Sequence, residues 1–123
     1  MLEFSTMVER RQAAEEHYYR ALDLFSEGKA EEAAAEYRAA IAVDSTFTDA
    51  MHGLVRVYKD QEKFDQAIEV ARAITQQDPE DILAYTSLSI LYQKKGMVPE
   101  AEAEANQARI LGWKQQLKGS KQS

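Results

Sequence analysis

Residues 48–81 read TDAMHGLVRVYKDQEKFDQAIEVARAITQQDPED, and their spacing decides the fold. Met51, Leu54, Val55 and Tyr58 follow at intervals of three, one and three, which lays an apolar stripe along one face of a helix. Thr46 with Asp49 three residues on gives a capping signal at its start. The polar run Lys59-Asp60-Gln61-Glu62-Lys63 ends the stripe, and a second one follows: Phe64, Ala67, Ile68, Ala71 and Ile74. It stops at Asp78-Pro79, where Asp suits a cap and Pro the first turn of the next helix. The stretch therefore reads as two helices joined by a short turn.

The same pattern recurs on both sides at a period of 34 residues. Ala33, Ala67 and Ala101 are 34 apart, as are Leu24, Tyr58 and Tyr92, and the pair Leu54 and Leu88. Cutting at 14–47, 48–81 and 82–115 gives three units without a gap, turning at Gly28 and Gly96 in the outer two, with Pro99 suited to the first turn of the last long helix. Residues 1–13 form an extension running into the first helix, and Thr6 with Glu9 predicts that this helix starts near residue 7. Residues 116–123 read as a polar, frayed tail. A unit of two short helices cannot bury its apolar face alone, so stacking must supply a shared core and the fold is all-α and solenoidal. Ala21, Ala33, Ala67, Ser89 and Ala101 let helix backbones approach, while Tyr37, Leu54, Tyr58, Leu88 and Tyr92 fill the space beside them.

Composition removes several function classes. The chain has no cysteine, which excludes disulfides, thiol catalysis and cysteine metal knuckles, and suits a reducing, cytoplasmic setting. A net charge of −6 argues against nucleic acid, whose binding is mostly phosphate neutralisation by Lys and Arg. No run of apolar residues is long enough for a membrane span, and the early positive charges follow the apolar stretch, the reverse of a secretory signal. His17 and His52 stand in different units without metal-ligand spacing, and His17 reads as a partly packed polar residue. No phosphate loop, nucleophile elbow or dinucleotide fingerprint occurs, so neither catalysis nor a cofactor or metal is expected.

With these residues in view, the chain resembles the tetratricopeptide repeat (TPR) proteins over residues 14–115. The third unit carries the resemblance through Tyr85, Leu88, Ser89, Tyr92, Ala101 and Ala108, and the second through Met51, Leu54, Tyr58, Ala67 and Pro79. The first does so through Ala21, Leu24, Ala33, Tyr37 and Ala40, departing at His17, Arg20 and Ser45. The resemblance implies a right-handed α-solenoid of three helix-turn-helix units, about six or seven helices. It also implies a non-enzymatic protein–protein adaptor that takes a peptide or helix of a partner protein in its concave groove.

In TPR proteins that groove is lined by positions 2, 5, 9 and 12 of each first helix. Here these are Glu15, Tyr18, Leu22 and Phe25, then Asp49, His52, Arg56 and Lys59, then Leu83, Thr86, Ile90 and Gln93, with Tyr19 and Lys94 beside them. The order is apolar, basic, apolar, which suits a short segment carrying an acidic residue between hydrophobic ones. The alternative is that Leu2 and Phe4 cover Tyr18, Leu22 and Phe25 while Arg56 pairs with Asp49 or Asp60 along its helix. TPR co-chaperones that grip the C-terminal carboxylate of heat-shock chaperones use Lys, Asn and Arg at positions held here by Tyr18, Leu22, Gly53, Leu83 and Ser87, so no such clamp is expected.

The ends raise a second reading. Units one, two and three carry 8, 8 and 3 acidic residues against 3, 4 and 4 basic ones, a gradient that either favours head-to-tail association into a homo-oligomer or serves only as a solubility pattern. After Leu111, only Trp113 and Leu117 are available to close the last unit, and Trp113 is expected to fold back as a structural cap, with self-association of these three residues as the alternative. A self-assembling TPR subunit and a small secretion-type chaperone are therefore the competing functions.

Overall fold

In a computed structural model the backbone is described from residue 2 to 122 and the side chains from 6 to 120. Six helices follow in order: α1 (Leu2–Ser26), α2 (Ala30–Val43), α3 (Thr48–Asp60), α4 (Phe64–Gln77), α5 (Ile82–Lys94) and α6 (Val98–Gln122). Each packs on the next, and α3 also touches α1 and α5. The first helices of the three hairpins thus share one layer, with α2, α4 and α6 behind them.

Small residues permit the crossings. Ala21, Ala33, Ala67, Ala101 and Ser89 are all buried, with Tyr37, Leu54, Tyr58 and Leu88 filling the space beside them. Gly53 marks the tightest approach, because a Cβ built there would stand 2.4 Å from the Tyr37 ring. Polar bonds then fix one unit against the next and repeat with the sequence period. Arg38 donates to the Tyr58 hydroxyl at 2.9 Å and Arg72 to the Tyr92 hydroxyl at 3.2 Å. Near the turns, Gln61 donates to Glu31 at 3.1 Å, and Lys95 pairs with Asp65 at the equivalent place one unit on.

The three hairpin turns share one hydrogen-bond pattern. Lys29, Lys63 and Met97 each donate from the backbone to the carbonyl five residues back, at 2.9, 2.8 and 2.9 Å, a closure that places the preceding residue in the left-handed region. Those residues are Gly28, Glu62 and Gly96, with φ of 79°, 60° and 75°. Only the middle turn uses a residue with a Cβ, which costs about 1 kcal/mol.

Helix boundaries differ from the sequence expectation at four places. The first helix begins at Leu2 and not near residue 7. Thr46 does not cap α3: its N–H and hydroxyl both donate to Asp44 Oδ1, at 3.0 and 2.6 Å, and α3 starts two residues later behind Phe47. Asp78 behaves as Asp44 does, accepting from the Glu80 N–H at 3.0 Å, so Pro79 lies in the turn and Asp81 caps α5 through the Ala84 N–H at 3.0 Å. At the other end α6 runs on through the polar residues to Gln122.

Asp44 also ties the α1 extension to the body, accepting from Arg11 Nε at 2.5 Å while the Arg11 guanidinium lies 4.5 Å over the Phe47 ring. Burial pushes the Asp44 carboxyl upward, but the Thr46 and Arg11 hydrogen bonds outweigh it and hold the group below its usual value.

Three outcomes are expected in denaturant titrations. Gly53→Ala lowers stability by about 1–3 kcal/mol, since the Tyr37 ring must move. Glu62→Gly raises it by about 0.5–1 kcal/mol by relieving the left-handed turn. Because the folded pKa of Asp44 lies below the unfolded value of about 3.9, its contribution is present above that value and lost as pH falls through the folded pKa. Asp44→Asn should therefore flatten the acid limb of the stability profile.

Candidate functional site

The layer of first helices forms a concave surface with one groove at its centre. Tyr18, Leu22 and Phe25 come from α1, Asp49, His52, Arg56 and Lys59 from α3, and Leu83 from α5, around a cavity of about 380 Å³. These are eight of the positions expected from the sequence. Glu15 lies outside, bordering a separate cavity near the start of α1. Thr86, Ile90, Gln93 and Lys94 lie farther along α5 and do not border this cavity, and Tyr19 points to solvent with its ring edge-on to Tyr18 at 5.5 Å.

Four lining residues stand outside the expected stripe: Tyr37, Gly53, Val55 and Ser87, of which Gly53 and Ser87 occupy the carboxylate-clamp positions. Gly53 and Ser87 are 34 apart and small, so the signal was present in the repeat itself. Tyr37 belongs to α2 and reaches the groove floor only because Gly53 leaves room for its ring.

The two junctions between first helices use different chemistry at equivalent positions. Tyr18 packs on Phe47 with ring centroids 5.1 Å apart, whereas one unit on His52 Nε2 meets Asp81 Oδ2 at 2.8 Å. His52 is therefore partnered. Arg56 is engaged too, its guanidinium 4.7 Å over the Phe25 ring; the expected alternative, an ion pair with Asp49 or Asp60, does not occur among the described residues. Among the described residues the Lys59 ammonium makes no hydrogen bond or ion pair, which leaves it available at the groove. Burial raises the Tyr18 phenol, and the Asp49 carboxylate and Tyr19 raise it further, so Tyr18 is a neutral donor and acceptor at physiological pH. Burial likewise raises Tyr37, against the nearby positive charge of Arg56.

The alternative reading, in which Leu2 and Phe4 cover the apolar residues of α1, rests on side chains that lie outside the described residues; the backbone of residues 2–4 belongs to α1. His17 is the partly packed polar residue expected, with Nδ1 2.7 Å from Glu36. Among the described residues no group of acidic or histidine side chains has metal-binding geometry, and no helix is long and apolar enough to cross a membrane.

Trp113 overturns its expected role. Leu111 is buried, but Trp113 is 61% and Leu117 62% exposed, because α6 continues as a straight helix and carries both past the last unit. Trp113→Ala should therefore leave the unfolding free energy within about 0.5 kcal/mol of the parent in a denaturant titration, as for other exposed substitutions.

Residues 24–89, just over half of the chain, match the tetratricopeptide repeat family, and the chain belongs to it. Among solved structures, MamA superposes with a TM-score of 0.81 at 28% identity, covering 83% of this chain and 60% of MamA. This chain thus spans about three fifths of that protein's length. The type III secretion translocator chaperone SycD of Yersinia enterocolitica, in complex with a peptide of the translocator YopD, gives 0.78 at 22% identity over 81% of this chain and 76% of SycD. The second TPR of Spaghetti (RPAP3), bound to the HSP90 peptide SRMEEVD, gives 0.77 at 21% identity over 84% and 95%. The last two likenesses establish the fold alone. No curated protein matches the chain.

Proposed function

We propose that this chain is a non-enzymatic adaptor, its three units from 14 to 115 acting as one domain that holds an extended peptide or helix of a partner protein in the concave groove. The observation that carries this reading is the composition of the 380 Å³ groove: Tyr18, Leu22 and Phe25 at one side, Leu83 at the other, and Arg56 with Lys59 between them. Apolar walls supply anchoring area, and a central cation inside an acidic chain selects an anionic side chain. SycD and RPAP3, each in complex with a peptide, support peptide binding by a protein of this fold. A net charge of −6 and the absence of cysteine favour a protein partner in the cytoplasm over nucleic acid.

The ligand is a segment with Asp or Glu between bulky apolar residues. An array of short peptides of that pattern, with the acid replaced by Gln or Lys in controls, should show binding that depends on the acid. Arg56→Glu with Lys59→Glu should weaken it at least tenfold without changing the helical circular dichroism; equal affinity would remove the basic centre from the account. The groove offers Tyr18, Leu22, Gly53, Leu83 and Ser87 where a carboxylate clamp needs charged and amide groups, so amidating the C-terminal carboxylate of SRMEEVD should leave its affinity unchanged.

A further inference from the structure

We propose that the two end helices join copies of this chain head to tail, with the outer face of α6 docking on the outer face of α1 in a second copy. The faces match in spacing. On α1, Val8, Gln12, Glu15, Tyr19 and Leu22 follow at intervals of four, three, four and three; on α6, Asn106, Ile110, Trp113 and Leu117 follow at four, three and four. Alternating fours and threes make a seam that faces a partner helix along its length. Val8, Tyr19 and Leu22 are exposed on one seam and Ile110, Trp113 and Leu117 on the other. Each also borders an open depression, about 590 Å³ beside Val8 and 470 Å³ beside Trp113.

Charge selects which seam meets which. Glu9, Glu16 and Asp23 stand seven residues apart, each directly after a seam position of α1, and all are exposed. On α6 Lys114 and Lys118 directly follow Trp113 and Leu117, and no acidic residue occurs after Glu104 while four basic ones do. Among the described residues Lys118 has a single long, exposed contact, 3.9 Å with Glu80. α1 also carries Arg10, Arg11 and Arg20, but Arg11 is paired with Asp44 and Arg20 with Glu36, so pairing α1 with α1 sets mainly carboxylates together, pairing α6 with α6 sets ammonium groups together, and the complementary arrangement is α6 on α1. Because α1 and α6 do not touch among the described residues of one chain and lie at opposite ends of the stack, each copy offers one seam of each kind and the array stays open.

The contact differs from the stacking inside the chain. Ala50, Val57, Ala84 and Leu91 are fully buried between units, and the residues 34 positions before Ala50 and Val57 are Glu16 and Asp23. A unit laid over α1 in the internal manner would bury both carboxylates. The second copy therefore meets the seam beside them, where the acids remain at the rim.

The test uses the full chain without any groove ligand, so its outcome is independent of peptide binding. Mass is measured by light scattering up to about 1 mM, where even a millimolar contact registers, at low and at moderate salt. The parent chain should rise above 13.9 kDa with concentration and fall back as salt increases. Glu16→Lys with Asp23→Lys, and separately Lys114→Glu with Lys118→Glu, should each remain at 13.9 kDa, while an equal mixture of the two regains assembly because a basic head then meets an acidic tail. All four side chains are exposed, and unchanged circular dichroism checks folding; should one variant unfold, the other alone still decides. A parent that stays monomeric throughout, or an assembly that survives the lysine reversal, overturns the proposal.

Discussion

Everything in this molecule depends on how closely helix backbones are allowed to approach. A two-helix unit has little interior of its own, and its stability comes from layers that share one core. Alanines buried at the same place in successive units, and Gly53 beneath the Tyr37 ring, set the spacing of those layers. Arginine-to-tyrosine bonds between units then fix their rotation, at Arg38 with Tyr58 and at Arg72 with Tyr92. Close packing sets distance and the polar bonds set angle, and together they place the first helices in one concave layer.

The groove is a by-product of that layer, yet its chemistry is not uniform. The junction between α1 and α3 is aromatic and apolar, through Tyr18 and Phe47, whereas the junction between α3 and α5 is polar, through His52 and Asp81. A segment lying across all three helices crosses from one to the other. Asp81 makes the second junction stiff as well, since it holds His52 with one oxygen and caps α5 with the other.

The fold was legible because a 34-residue period repeats small and large residues in register, which is a property of sequence alone. Local turn chemistry was less so. Thr46 and Asp49 have capping spacing, but Asp44 competes for the Thr46 N–H and hydroxyl, and sequence does not rank such competitors. Pro79 was misplaced for the same reason, with Asp78 forming the turn and Asp81 the cap. Reading along the first helices of each unit reaches residues that border the central cavity, such as Tyr18, Arg56 and Leu83, and others that do not, such as Gln93 and Lys94, while Tyr37 enters the cavity from the second layer. Trp113 was expected inside because large aromatics usually are; continuation of α6 through Gly112 and Gly119 carried it into solvent instead.

The middle turn stands apart from its neighbours, with Glu62 at φ 60° where the flanking units have glycine. Hairpins one and three are each supported from one side, and the middle one from both. A strained turn survives where support is doubled, so strain and support are matched within the array. In a quasi-one-dimensional protein this makes the central hairpin a guest of its neighbours: its folding is the most borrowed of the three, and loosening at either end is transmitted inward to it.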